Sequence, residues 1–349
     1  MVYATIKIYE ILAGDLAQFG QKDFIELDNH NPPSLLILNT NLAQLILKNE
    51  VLHPDFISYW KFINNKDNQS YPAIEEYFKK TPLSLFGQDH LESRKMISNY
   101  YKLIENNLDN WIHDYTISFF SSLDSSLLHD PTSVSRSFIS GVFRKLIEEE
   151  LECDFNSLPE LPGDLFHLFP SAHTLDAYNQ KLALLLSFIE EQLTFRGKDI
   201  QDTWAIVSTA VMGSEPLYAS LVFGILIDTE NDELLTTEAI FNKTNPISII
   251  QRIVAQDFVI DNYNFKKKQL LYTSPFISRM LDSENNGKDN YISPFGYGIH
   301  VCPGKKISFM IVDAFFNALK KRKNIIFDKN KISFKRDFFL RPIKNDYEI

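Results

Sequence analysis

The 349-residue sequence predicts a mainly α-helical protein carrying a small β-sheet. Three observations lead there. Apolar side chains recur at helical spacing over long stretches, as in Leu108, Trp111, Ile112, Tyr115 and Phe119. The stretch from Asp202 to Asp228 is apolar almost throughout, the pattern of a helix buried on every side. Strand-like runs are short, and Leu35-Leu36-Ile37-Leu38 after Pro32-Pro33 reads as one buried strand.

In chain order, Leu42, Leu45 and Ile46 suggest a helix directly after that strand. Tyr59, Trp60 and Phe62 fall in a polar, turn-rich region, where aromatics either line an apolar pocket or simply pack. A helical pattern begins near Asp89, read as its cap, and places His90 and Arg94 on one face, four residues apart. Asp130-Pro131 reads as a cap and first-turn proline for a helix carrying Phe138, Val142, Phe143, Leu146, Ile147 and Leu151. Pro159, Pro162 and Pro170 punctuate an apolar loop containing Leu165, Phe166, Leu168 and Phe169. Leu175 to Phe195 is an amphipathic helix ended by Gly197. Within the long apolar helix, Pro216 removes an N–H and clashes with the Met212 carbonyl, so a kink is expected there.

Composition narrows the function. Two cysteines, Cys153 and Cys302, provide no disulfide framework and fit a reducing cytoplasm. The longest apolar run, Leu217 to Ile227, is too short to span a bilayer. The first residues lack a basic start followed by an apolar core, so neither signal peptide nor membrane anchor is expected. Net charge is −10 but uneven: His300 to Ile349 holds 12 Lys/Arg against 5 Asp/Glu. That basic end either attracts an acidic partner protein or is a solvated helix face. Nucleic-acid binding is not expected of an acidic chain with no recognised binding module.

The chemistry concentrates at Phe295-Gly296-Tyr297-Gly298-Ile299-His300-Val301-Cys302-Pro303-Gly304. A helix follows from Lys305 to about Lys321, with Pro303 suited to its first turn. Cys302 would then sit at a helix N-terminus, where free N–H groups favour a thiolate. Such a thiolate is a metal ligand or a nucleophile; the bland alternative is a buried free cysteine after a glycine turn. A phosphate loop is excluded, because the glycine spacing is one residue too long and no hydroxyl follows Lys305.

Those ten residues fit the heme-binding signature of the cytochrome P-450 family at every constrained position, and the chain resembles that family in order from roughly residue 30 to 349. The resemblance implies a helical bundle around heme b (iron protoporphyrin IX), one domain over 1–349, with a mixed β-containing region to about residue 85. It implies that Cys302 is the axial iron ligand, with Phe295 shielding its sulfur and Gly304 among the heme-binding residues. His90, Arg94, Arg252 and His300 would bind the heme propionates, since two buried carboxylates require charged or N–H donors. Ile247, Ile249 and Ile250 would line the substrate pocket, and Phe338 to Pro342 would form a closing hairpin reaching it. The residues between Pro159 and Pro170 would belong to a lid.

Two departures stand out. Met212-Gly213-Ser214-Glu215-Pro216 matches the family's oxygen-activation segment at Gly213 and Glu215, but Pro216 replaces the threonine that helps deliver protons. Glu215 is then an acid, a substrate anchor or a salt-bridged carboxylate. Glu238 begins the family's Glu-x-x-Arg, but Phe241 takes the arginine position. The expectation is a cytoplasmic monooxygenase-type oxidoreductase acting on a small hydrophobic or aromatic, biosynthetic metabolite. Its electrons would come from a ferredoxin- or flavodoxin-like donor docking near Lys305, Lys306 and Lys320. A peroxide-dependent or dioxygen-independent heme-thiolate enzyme, or a non-catalytic heme-binding relative, are the alternatives.

Overall fold

The computed structural model describes residues 7–8, 10–12, 14, 19, 22–54, 70–124, 127–154, 157–161, 172–228, 235–284, 291–322, 325–328, 332–336 and 339–344. The chain opens with β1 (Phe24–Glu26) and β2 (Leu35–Ile37), then α1 (Thr40–Lys48) and β3 (Leu52–His53). Helices α2 (Pro72–Lys80) and α3 (Gly87–Ser122) follow, with β4 (Leu128–His129) leading into α4 (Pro131–Leu151). Next come α5 (Ala172–Phe195), α6 (Asp202–Asp228) and α7 (Thr237–Thr244). Strands β5 (Ile250–Val254), β6 (Phe258–Ile260), β7 (Tyr263–Phe265) and β8 (Leu270–Thr273) precede α8 (Pro275–Glu284). A short 3-10 turn at Gly298–His300, α9 (Lys305–Lys321), β9 (Ile326–Phe327), β10 (Ile332–Arg336) and β11 (Leu340–Lys344) complete it.

Helix α6 is the centre of the bundle, with α3, α4, α5, α7 and α9 packed around it. Its apolar residues Ala205, Ile206, Val207, Leu217, Ala219, Leu221 and Val222 are all essentially buried, which explains why its sequence shows no polar face. Among the described residues, Asp202–Ile227 is the one helix long and apolar enough to cross a membrane, but here it is mostly buried as the core helix. Gly213 lets α4 come close: a Cβ there would meet the Phe143 ring at 2.8 Å. Pro216 lies inside α6 without ending it, and the Ser220 hydroxyl donates to the Pro216 carbonyl at 2.8 Å.

The main sheet runs β1-β2-β8-β5-β3, so strands distant in sequence share one layer. β2 pairs parallel with β8 (Leu36 with Tyr272), and β5 pairs antiparallel with β8 (Arg252 with Leu271). This registration puts Arg252 opposite Leu271, on the sheet face that also carries Leu35 and Val254. Below the sheet, Leu35, Ile37, Leu42, Ala43, Ile46, Val254 and Leu271 form a second apolar cluster holding α1 in place. β10 and β11 pair antiparallel, and Phe339, just before β11, bridges Ile247; Phe338 lies outside the described residues.

Local signals decide the ends of several helices. Asp130 caps α4 as expected, accepting from Thr132 N–H at 3.1 Å and Ser133 N–H at 3.2 Å. Asp89 does not cap α3; that helix starts two residues earlier with Phe86 at the cap, and Asp89 sits in its first turn, where an acid suits the dipole. Pro303 also falls outside its helix, because α9 starts at Lys305 after a turn through Pro303 and Gly304. The turn-rich aromatics Tyr59, Trp60 and Phe62, and the loop carrying Leu165, Phe166, Leu168 and Phe169, lie outside the described residues.

Candidate functional site

Backbone bonds shape the cysteine loop. The Cys302 N–H donates to the Phe295 carbonyl at 2.7 Å, closing the loop on itself, and the Val301 N–H donates to the Gly298 carbonyl at 3.2 Å. Gly298 has φ +70 and lies against the end of α1, where a Cβ would come within 2.6 Å of the Leu47 carbonyl oxygen. A side chain at that position is excluded twice over, by conformation and by space.

Cys302 is solvent-accessible although protein surrounds it in depth, as for a residue on the wall of a hollow rather than on outer surface. Burial pushes its thiol up, outweighing the downward pull of the Gly304 N–H and of Arg94. The sequence expectation of a thiolate made by a helix N-terminus is therefore corrected. Cys302 stands ahead of α9, not in its first turn.

Three elements bring nitrogen donors to one rim of this hollow. Arg94 of α3 donates to the Val301 carbonyl, next to Cys302. One turn earlier on α3, His90 is 1% exposed, and its ring lies 4.0 Å from that of His300. Neither His90 nitrogen has a hydrogen-bond partner among the described residues. Arg252, buried on β5, donates to the Gln251 carbonyl at 2.7 Å. Burial first, then the charges of Arg94 and Arg252, hold His90 down to about 4. Burial first and then Arg252, with His90, Arg94 and His53 adding, push His300 further down. Burial also lowers Arg252 to about 10. Among the described residues no carboxylate pairs with any of these four, so one buried and one half-buried guanidinium face two neutral imidazoles without a paired negative charge.

Behind the loop, Phe241 occupies the space an arginine would fill. It is 2% exposed and packs edge-on to Phe295 (ring centroids 4.8 Å) and against Phe309 of α9 (5.3 Å), and Phe295 and Phe309 lie 5.7 Å apart. Lys305 sits over both Phe295 and Phe309, at 5.8 and 5.7 Å. Glu238, three residues before Phe241, points to solvent. An aromatic triangle thus joins α7, the cysteine loop and α9. Arg336 of β10 donates to the Thr244 and Asn245 carbonyls at 2.8 and 2.9 Å, satisfying the end of α7.

On the α6 side, the Thr209 hydroxyl is bonded to the Ala205 carbonyl at 2.7 Å and to the Tyr101 phenol at 3.1 Å. The same Tyr101 oxygen and the Cys302 sulfur lie 3.3 and 3.8 Å from the point where a Cβ on Gly304 would stand. Gly304 is thus a close-approach position between α3 and the sulfur. Further along α6, Glu215 is 6% exposed and is gripped by both guanidinium nitrogens of Arg136 from α4, one at 3.1 Å. Arg136 in turn stacks over the Tyr218 ring at 3.5 Å. Burial opposes the Arg136 charge, yet the Glu215 bond and charge prevail and hold its pKa up. Gly213 faces Phe143, and the Ser214 hydroxyl turns back to the Val211 carbonyl at 3.3 Å.

His90, Arg94, Arg252, Phe295, His300, Cys302 and Gly304 therefore converge around one loop. Gly213, Glu215 and Pro216 sit together on α6, with Glu215 engaged by α4. Sequence reasoning missed Arg136, Tyr101 and the role of Phe309. Arg136 left one faint signal, a single charge on an otherwise uncharged first half of a helix.

No family model matches the sequence, and no curated protein is similar to it. Solved structures are similar in shape. The cytochrome P-450 BioI bound to an acyl carrier protein carrying hexadec-9Z-enoic acid gives a TM-score of 0.76 at 13% identity, covering 98% of each chain. PksS, a cytochrome P-450 of the Bacillus subtilis bacillaene polyketide synthase, gives 0.71 at 17% identity, also covering 98% of each. The tirandamycin C-bound monooxygenase TamI gives 0.65 at 16% identity over 83% of this chain and 82% of its own. With helices around α6, a cysteine loop ahead of α9 and this agreement over nearly the whole length, the chain has the cytochrome P-450 fold.

Proposed function

We propose that the chain is a heme-thiolate oxidoreductase of monooxygenase type acting on a small hydrophobic or aromatic metabolite, with Cys302 as the iron ligand. The observation that carries this reading is a rim of nitrogen donors that no carboxylate answers among the described residues. Among the described residues, His90 with both nitrogens unbonded, buried Arg252, half-buried Arg94 and His300 lie around the cysteine loop with no carboxylate paired to them. Buried cations without partners are costly, and two carboxylates at this rim would satisfy them. Heme b, with two propionates and an iron needing a thiolate, fits both halves of that donor set. When bound, it supplies redox chemistry at a thiolate-ligated iron. The residues do the rest: Arg94 and Arg252 hold charge, the Phe295 peptide fixes the Cys302 backbone, and the Gly304 N–H tempers the sulfur.

A second reading, direct use of peroxide or chemistry without dioxygen, is favoured by a specific arrangement on α6. No hydroxyl stands at Pro216, and Glu215 is bound to Arg136, so neither residue is free to hand on a proton. Electron donors of ferredoxin or flavodoxin type would dock where Lys305 and Lys306 are exposed, although Lys306 is already paired with Glu105. The BioI structure, solved with an acyl carrier protein, makes a carrier-borne substrate a further possibility for the same acidic-partner surface. Turnover with a reductase system plus dioxygen, compared with turnover on peroxide alone, separates the two readings. Product formed only under the reductase system supports the first; product formed only with peroxide supports the second.

A further inference from the structure

One face of α3 runs alongside the cysteine loop and meets it at four successive points. The His90 ring lies 4.0 Å from that of His300, Arg94 donates to the Val301 carbonyl, and Glu105 pairs with Lys306. Between Arg94 and Glu105 stands Tyr101, on the same face because it follows Arg94 by seven residues, two turns of helix. Tyr101 falls opposite Gly304. From the point where a Cβ on Gly304 would stand, the Tyr101 oxygen is 3.3 Å away and the Cys302 sulfur 3.8 Å. The missing side chain of Gly304 thus leaves one gap that phenol and sulfur share. Tyr101 is partly accessible and Cys302 accessible although protein surrounds both in depth, as for two walls of one hollow.

The phenol proton has two places to go. Thr209 of α6 has a single O–H, which donates to the Ala205 carbonyl at 2.7 Å, since a carbonyl can only accept. The 3.1 Å bond between Thr209 and Tyr101 therefore has the phenol O–H as its donor and the threonine oxygen as its acceptor. With the proton on Thr209, the phenol presents its lone pairs to the gap. A protonated sulfur is suited by that arrangement, because its S–H can point at the oxygen. A thiolate is not, because it only accepts. Burial pushes the Tyr101 phenol up, so it keeps its proton and remains a donor. Turning the O–H about its C–O bond carries the proton from Thr209 to the sulfur side without moving the backbone.

We propose that Tyr101 tunes the Cys302 sulfur, its O–H resting on Thr209 while the sulfur is protonated and turning to donate to the sulfur once it is a thiolate. This role rests on the reading of Cys302 as the ligand of heme iron and deepens it. A hydrogen bond to a ligating sulfur draws electron density from the metal and favours its reduced state. The test is a redox titration, followed by absorption, of the heme-loaded full chain: native, Tyr101→Phe, Thr209→Val and the double variant. Tyr101→Phe is expected to shift the ferric–ferrous equilibrium toward ferric by about fivefold to tenfold. Thr209→Val removes only the competing acceptor, so it is expected to leave the equilibrium in place or move it toward ferrous. In the double variant the Tyr101→Phe shift is expected undiminished. A phenol that merely ties α3 to α6 gives a different pattern: both variants break one bond, act alike, and add nothing to each other. A shift toward ferric in Thr209→Val, or loss of the phenylalanine effect in the double variant, therefore overturns the tuning role. So does a Tyr101→Phe shift below about twofold or toward ferrous. The native ferrous carbon monoxide spectrum keeps the two readings apart. Without a red-shifted Soret band the heme-thiolate reading fails and the tuning role with it; with that band and no Tyr101 effect, the tuning role alone fails.

Discussion

Replacing Phe241 tests how this chain secures its cysteine loop. The side chain is 2% exposed and touches two other rings, from the loop and from α9, at 4.8 and 5.3 Å. Truncating a buried phenylalanine costs about 3–5 kcal/mol, and each aromatic pair adds about 0.5–1.5 kcal/mol. Phe241→Ala is therefore expected near the top of that range, roughly 4–5 kcal/mol, against a total of about 5–15 kcal/mol for an ordinary domain. Urea unfolding measures it, with an unchanged m-value required for the comparison. Phe241→Leu keeps most of the volume and should lose less than half as much. Phe241→Arg, which restores the family pattern on paper, should be at least as harmful as alanine. The guanidinium would be buried among Phe295 and Phe309, while Glu238 faces solvent. A loss under about 1 kcal/mol for Phe241→Ala, or a neutral Phe241→Arg, would refute the aromatic triangle as the lock.

Other consequences can be checked alongside it. Arg136→Met leaves Glu215 buried without its partner, and should cost about 2 kcal/mol once the half-exposed position of Arg136 is allowed for; in combination with Glu215→Gln the loss should shrink, which a double-mutant cycle measures. His90 is held down to about 4 when folded and titrates near 6.5 when unfolded, so above 6.5 it contributes no pH dependence. As pH falls from 6.5 toward 4 the unfolded chain takes up the proton first, so His90 contributes a loss of about 1.4 kcal/mol per pH unit in heme-free protein, and His300, depressed further, adds its own share. His90→Phe should remove the His90 share and leave that of His300, and an equal slope in both proteins would contradict it. Arg252→Leu should release heme more readily, measured as transfer to apomyoglobin; unchanged retention rejects its propionate role. Pro216→Thr should couple reductant consumption to product more tightly if proton delivery is what the proline removes, and no change counts against that.

Much of the fold was legible because its signals are local. The continuous apolar stretch of α6 and the Asp130-Pro131 start of α4 follow from periodicity and capping alone. The cysteine loop was legible because tight packing leaves few residues permissible, as Gly298 against Leu47 illustrates. What sequence reasoning lost was either tertiary or a close competition. Asp89 and Phe86 compete for one helix start within three residues, and the backbone chose the earlier turn. The thiolate expected of Cys302 from a helix end gave way to burial, which depends on everything around it. Arg136 and Glu215 are 79 residues apart, and no spacing rule links them. Phe241 read as a missing arginine; only the three-dimensional neighbours Phe295 and Phe309 turn it into a positive feature.

The central claim is that Cys302 ligates heme iron, and the absorption spectrum of the reduced protein under carbon monoxide tests it most directly. The account predicts a strongly red-shifted Soret band for the native chain and its loss in Cys302→Ala. A native protein that takes up no heme, or that gives the unshifted band of histidine ligation, would contradict it.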